Sequence, residues 1–470
     1  MIFRVYDRRL LLNILIAAFC AQIALGQPAQ KPDDGDLQAV IVLMRHGVRA
    51  PIESETRSSA YNAQAWPAWP TEPGVLTPHG SDALRRLGEF YRERYSTLLQ
   101  GDTCDPSVFY VEANTTQRTI ASAKAVLTGL SPQCKVEVHS TVSPFNPLFS
   151  PSMSKDVDQQ RIKDATSGRM ADQPEWFTNA FARQLEKMHT ILIDCKGPGC
   201  NRGVPDFRSI QVQDGIATAR DPHIENPVVL GADFAENFLL QYTEGKPMTQ
   251  VGWGRVSRAD LNDLMQMNTQ FHDFILRTPY TAQVGASHLA AHIRDTVLSA
   301  ASDKPTPNEL GNSKDRFILL VGHDSNLSWL GGLLNLDWLL PDQTFNATPP
   351  GSALVFEVRR SRINNGSFVQ VFFISQTLDQ IRDLHPLTGA EHPSVAPVFV
   401  PGCSGSAPAY ACSVEQFGRV VDSAIDTRFV TQIATGSLTK ATKKANFGRP
   451  SSLSPLSRDT MVRTVPFPDR

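Results

Sequence analysis

The sequence predicts an α/β fold: a mostly parallel sheet flanked by helices, with an inserted, mainly helical subdomain. Residues 37–44 and 317–321 are nearly continuous apolar runs, the pattern of strands buried on both faces of a sheet. Between them, residues 81–98 and 120–130 carry apolar side chains at helical spacing. Strands that alternate with helices indicate the α/β class. A third, less apolar strand covers 108–111. All three strands run into polar or charged residues: the first into Arg45-His46-Gly47, the third into Glu112 and then Arg118, the run at 317–321 into Gly322-His323-Asp324. That edge is where ligands bind in an open α/β sheet.

Taken in order, residues 1–26 read as an export signal. Arg4, Arg8 and Arg9 precede an apolar run from Leu10 to Ala24, and Ala24-Leu25-Gly26 offers small residues for cleavage. The run is shorter than the roughly 20 residues that span a bilayer, so no stable membrane insertion is expected after cleavage. The α/β domain is expected to be discontinuous, 37–150 and 278–428. Residues 151–277 lack strong strand signals, hold helical windows at 176–193 and 232–242, and read as the inserted helical subdomain. Residues 353–359 and 368–375 flank Asn364-Asn365-Gly366, which suits an antiparallel hairpin on the sheet edge. From 429 to 470 the chain turns to Ser, Thr, Pro and basic residues with few apolar anchors, a composition that predicts a disordered basic tail.

A formal net charge of -2 supplies no basic field for holding nucleic acid, so any anion site must be local. Of seven cysteines, Cys20 falls in the export signal. The remaining six, an even number in an exported chain, read as three disulfides formed in the periplasm or outside the cell. The simplest pairing is local: Cys104 with Cys134, Cys195 with Cys200, Cys403 with Cys412. The spacing leaves other pairings open. No C-x-x-C pair occurs, and neither a metal nor a cofactor is expected. A monomer is the expected state.

The strongest chemical signal is Arg45-His46-Gly47-Val48-Arg49-Ala50-Pro51 at the end of a buried strand. Two arginines beside one histidine disfavour the imidazolium and keep His46 neutral, as a nucleophile must be. Arginine also grips paired phosphate oxygens with a planar fork, so the same side chains can hold the electrophile. His323-Asp324 alone could be a turn whose Asp caps a helix, but that leaves a second histidine at the ligand edge unexplained.

With these residues in view the chain resembles the histidine acid phosphatase family, whose Arg-His-Gly-x-Arg-x-Pro signature is matched from Arg45 to Pro51 and whose His-Asp pair is matched by His323-Asp324. Within the family it is similar to the group of bacterial periplasmic phytase and glucose-1-phosphatase. That similarity runs through Leu76-Thr77-Pro78-His79-Gly80, Trp253-Gly254-Arg255, Gln376-Thr377-Leu378 and the Cys403 to Cys412 pair, over about residues 38–428. The resemblance implies hydrolysis of phosphate monoesters, phytate or sugar phosphates, through a phosphohistidine on His46, with Asp324 as proton donor. It implies phosphate binding by Arg45, Arg49, Arg118 and His323, and a substrate pocket that includes Glu53, Glu236, Arg277 and Ser325. It departs from the phytase pattern at Ile52-Glu53, where a base is common, and at Ser325, where Thr is usual. A carboxylic acid donor implies that Asp324 is protonated, hence acidic working pH. The rivals are a phosphomutase that retains the phosphohistidine and a binding protein that keeps the pocket without the chemistry; export argues against the first, the presence of both His46 and Asp324 against the second.

Overall fold

In the computed structural model the described residues are 34–52, 60–99, 105–143, 145–171, 173–201, 203–212, 225–405 and 409–430. Residues 1–26, read as an export signal, Glu53, Cys104 and nearly all of residues 429–470 lie outside them. Among the described residues seven strands form one sheet: β1 (Asp36–Arg45), β2 (Phe109–Ala113), β3 (Phe317–Gly322), β4 (Ala353–Arg360), β5 (Ser367–Ser375), β6 (Ser394–Val398) and the short β7 (Cys412–Ser413). The order is β2-β3-β1-β4-β5-β6, with β7 also on β5.

The sheet is mixed, which corrects the expectation of a mostly parallel one. Only β1 with β3 and β2 with β3 run parallel among the described pairings; β4, β5, β6 and β7 join antiparallel. For β4 and β5 the hairpin connection forces this, since a short turn can only join antiparallel neighbours. The hairpin itself forms as expected, with Asn365 at φ 58° in its turn. It lies inside the sheet rather than on its edge, because β1 covers one side and β6 the other. Strand β6 contains Pro397, which an edge strand tolerates.

Alternation along β1 assigns its side chains to two cores. Ala39, Ile41 and Leu43 enter one hydrophobic cluster, while Val40, Val42 and Met44 enter another. The second cluster is closed by α1 (Pro78–Arg94) and α2 (Gln117–Leu130). These helices pack backbone to backbone through glycine: a Cβ on Gly129 would stand 1.9 Å from the Arg85 carbonyl oxygen.

The opposite cluster is closed by a larger helical set, α3 (Gln159–Arg169), α4 (Pro174–Ala180), α5 (Ala182–Ile193), α6 (Pro227–Thr243), α7 (Arg258–Phe271) and α8 (Pro279–Ser302), followed by α9 (Asp324–Leu334), the short α10 (Leu378–Arg382) and α11 (Val414–Ala424). The helical window at 176–193 is two helices, because Phe181 leaves helical geometry and turns with Phe177 into the core. The described residues form one compact unit. Cys195 with Cys200 and Cys403 with Cys412 are disulfide-bonded, with Cα separations of 5.7 and 5.3 Å. Cys134 is also disulfide-bonded.

Candidate active site

Parallel register brings three strand ends to one level. Arg45 pairs with Gly322, and Ala113 with Val321, so the residues after β1, β2 and β3 emerge side by side. The end of β1 is then locked on its other flank: the Arg45 amide donates to Ser352 and the Gly351 amide donates to the His46 carbonyl. Gly351 reaches that position at φ +80°, a left-handed conformation that favours glycine.

His46 is buried, and its Nδ1 lies 2.8 Å from the Gly47 carbonyl oxygen. A carbonyl only accepts, so the ring proton sits on Nδ1 and Nε2 keeps its lone pair. Burial first, then Arg118, Arg45, His323 and Arg49, push the imidazole well below its usual range. The arginines act as the motif suggests, but removal from water matters more, and the strongest cation is Arg118 from another helix. Gly47 is needed here for close packing, since a Cβ would meet Leu84 at 2.7 Å.

His323 caps α9 and stands edge-on to His46, with ring centroids 5.4 Å apart. Its Nε2 is 3.0 Å from a guanidinium nitrogen of Arg118 and its Nδ1 is 3.3 Å from the Asn114 amide nitrogen, so both ring nitrogens face donors, an environment that opposes the imidazolium. Burial and then Arg118 push His323 down to about 3. Asp324 is the first residue of α9, and His323 rather than Asp324 is its cap. Its Oδ2 lies 3.1 Å from Arg45 and its Oδ1 accepts from the Ser325 amide at 2.7 Å. Burial opposes its charge, yet Arg45, His272, His46 and His323 together hold Asp324 well below the usual carboxylate range. The helix N-terminus favours the anion too. These contacts favour the carboxylate form of Asp324, whereas the role of proton donor asks for the acid.

Arg45 donates to the Thr348 carbonyl at 2.5 Å and is ion-paired with Glu236 of α6 as well as Asp324. Arg49 is buried close enough to act electrostatically on both histidines. Arg45, His46, Arg49, Arg118, Glu236, His323 and Asp324 thus converge, with Ser325 beside them. Arg277 is engaged elsewhere, on Asp337 and the Leu336 carbonyl, both at 2.7 Å. Sequence reasoning does not reach Asn114, Thr348 or His272. Asn114 carries only the signal of following a strand, and Thr348 contributes through its backbone.

This constellation presents a neutral imidazole, cations for an oxyanion and a carboxylate within one buried cluster. The family model of the histidine phosphatase superfamily (branch 2) matches residues 36–374. The chain belongs to that superfamily. It is a histidine phosphatase, a hydrolase of the second branch. Phytase AppA of Escherichia coli is 31% identical over 413 residues, covering 84% of this chain and 94% of the relative. Glucose-1-phosphatase of Providencia rettgeri is 27% identical, covering 87% and 99%. Among solved structures, Hafnia alvei phytase in complex with myo-inositol hexakis sulphate matches with a TM-score of 0.75 at 29% identity, covering 86% of this chain and all of that one. Among the described residues, no helix of this histidine phosphatase is long and apolar enough to cross a membrane.

Proposed function

We propose that the chain is an exported acid phosphatase that hydrolyses phosphate monoesters, phytate or sugar phosphates, through a phosphohistidine on His46. The observation that carries this reading is the Nδ1-to-Gly47 hydrogen bond, which aims an unprotonated Nε2 into a cluster of arginines. Phosphoryl transfer asks mainly for in-line positioning and positive charge around the equatorial oxygens. Arg45, Arg49 and Arg118 supply the charge, with His323 beside them.

In the first step the Nε2 lone pair forms the N–P bond as the ester P–O bond breaks, and Asp324 gives its proton to the departing alcohol oxygen. In the second, the Asp324 carboxylate takes a proton from water, whose oxygen attacks phosphorus and breaks the N–P bond. His46 and the protonated Asp324 are regenerated. Since Arg45 favours the carboxylate form of Asp324, its protonation is tied to substrate binding: a bound phosphate shares Arg45 and adds negative charge, and both effects raise the carboxyl's proton affinity. The proposed division of labour gives the sheet edge the chemistry and the helical residues 151–277 the pocket wall, through Glu236.

The names of the relatives support both substrate classes. Phosphate release from inositol hexakisphosphate, a sugar monophosphate and an aryl phosphate tests the reading at acidic pH. Multiple turnovers with stoichiometric phosphate release support hydrolysis; transfer of the phosphoryl group to a second sugar without release would indicate a mutase, and absence of turnover a binding protein. Glu53 is proposed to disfavour highly charged substrates, so Glu53→Lys is expected to raise kcat/KM for inositol hexakisphosphate relative to the sugar monophosphate.

A further inference from the structure

Between α7 and α8 the backbone makes a wide, π-type turn over His272–Leu276, closed by the Arg277 amide donating to the His272 carbonyl at 2.9 Å. Such turns insert a residue into helical packing and gather at functional sites. This one lies flush on α9. A Cβ on Gly332 would stand 2.5 Å from the Cα of Arg277, and one on Gly331 would strike the Arg277 guanidinium. One turn nearer the site, Ser328 Oγ is 3.0 Å from His272 Nδ1. Another turn on is Asp324. Residues four apart on a helix are neighbours on one face, so Gly332, Ser328 and Asp324 form a single stripe against which this turn is laid.

We propose that His272 is a positioning residue that governs whether Asp324 holds its proton, and that it thereby sets the acid limit of turnover on esters whose alcohol must be protonated as it leaves. This rests on the reading of Asp324 as proton donor. His272 is buried and its Nδ1 is engaged by Ser328. The charged groups acting on it are Asp324 of α9, Arg45 of β1 and Arg277 at the end of its own turn; burial and the two arginines favour the neutral ring, Asp324 the imidazolium. Of the two groups, His272 takes a proton first on acidification, because Asp324 is the more strongly held in its charged form. The resulting imidazolium then fixes Asp324 as a carboxylate, and the general acid is lost. An opposite charge at this range shifts a carboxyl by about one pH unit or more.

The test compares kcat/KM against pH for a sugar monophosphate, a poor leaving group, and for p-nitrophenyl phosphate, which leaves without protonation. Wild-type turnover of the sugar ester is expected to fall on the acid side at higher pH than turnover of the aryl ester. His272→Gln, which keeps a polar partner for Ser328, and His272→Leu, which does not, should both move the sugar-ester limb toward acid by about one pH unit. The aryl limb, governed by His46, should stay in place. Unmoved limbs in the Gln variant, or a uniform loss on both substrates at every pH, would overturn the proposal. Asp324→Asn separates the two claims: equal losses on both esters would remove the donor reading itself, whereas a selective loss on the sugar ester with unmoved His272 limbs would remove only the role of His272.

Discussion

His288 and His292 stand four residues apart on α8, buried, with ring centroids 4.5 Å apart. Burial, and then the neighbouring His292, push His288 down to about 4 from an ordinary 6.5. The unfolded chain therefore binds a proton at this residue near pH 6.5, while the folded chain refuses it until about pH 4. Stability rises with pH wherever the unfolded state holds more protons, so this group's contribution is fully present above pH 6.5 and is lost as pH falls to about 4. A depression of that size corresponds to about 3 kcal/mol. His288→Leu removes the titration while filling similar apolar space. Urea unfolding of wild type and variant at pH 7 and pH 4 measures it: the stability difference between them should move by about 2 to 3 kcal/mol in the variant's favour at the lower pH. Parallel pH dependences would refute the reasoning, and would mean that water reaches the imidazole in the folded state.

Three further outcomes follow from the same geometry. Asp324→Asn should lower kcat/KM for sugar esters on the order of 100- to 10,000-fold while sparing kcat/KM for p-nitrophenyl phosphate, because that ratio reports the phosphoryl-transfer step and an amide has no acidic proton to give. Arg118→Met should weaken binding of inorganic phosphate as a competitive inhibitor about 10- to 100-fold, the worth of one hydrogen bond to a charged group, and should leave the folded structure's circular dichroism unchanged. Glu357, fully buried on β4, accepts from Arg94 at 2.8 Å, Arg359 at 2.6 Å and Tyr95 at 3.0 Å. Glu357→Ala strands those donors and should cost about 3 kcal/mol in urea unfolding, with kcat per folded molecule unchanged.

How far the sequence carries depends on whether the physics is local. Strands β1 and β3 are legible because both faces of each are buried, so nearly every side chain is apolar. Strand β6 is not: Ser-Val-Ala-Pro-Val on an edge has neither a continuous apolar run nor clean alternation. Helix α8 escapes as well, since it is buried almost all round and lacks a polar face to set its period. At the site, Arg45, His46, His323 and Asp324 are legible because strand ends deliver them. The pairing of Glu236 with Arg45 joins residues 191 apart, and only a resemblance could suggest it. His272 gives no signal at all: a lone histidine between Phe271 and Asp273 acquires meaning only when the π-type turn lays it on α9. The charge state of Asp324 is likewise a property of the assembled site, set by Arg45, His272 and His46, which the chain brings from distant positions, together with the adjacent His323.

The most direct test of the central claim is to mix the enzyme with 32P-labelled monoester, stop the reaction within a turnover in denaturant at alkaline pH, where an N–P bond survives, and map the labelled peptide. The account predicts label on the peptide that carries Arg45-His46-Gly47, held as phosphohistidine at His46, increased in Asp324→Asn with an aryl ester because water is no longer activated, and absent in His46→Ala. Label on another residue, or undiminished turnover in His46→Ala, would contradict it.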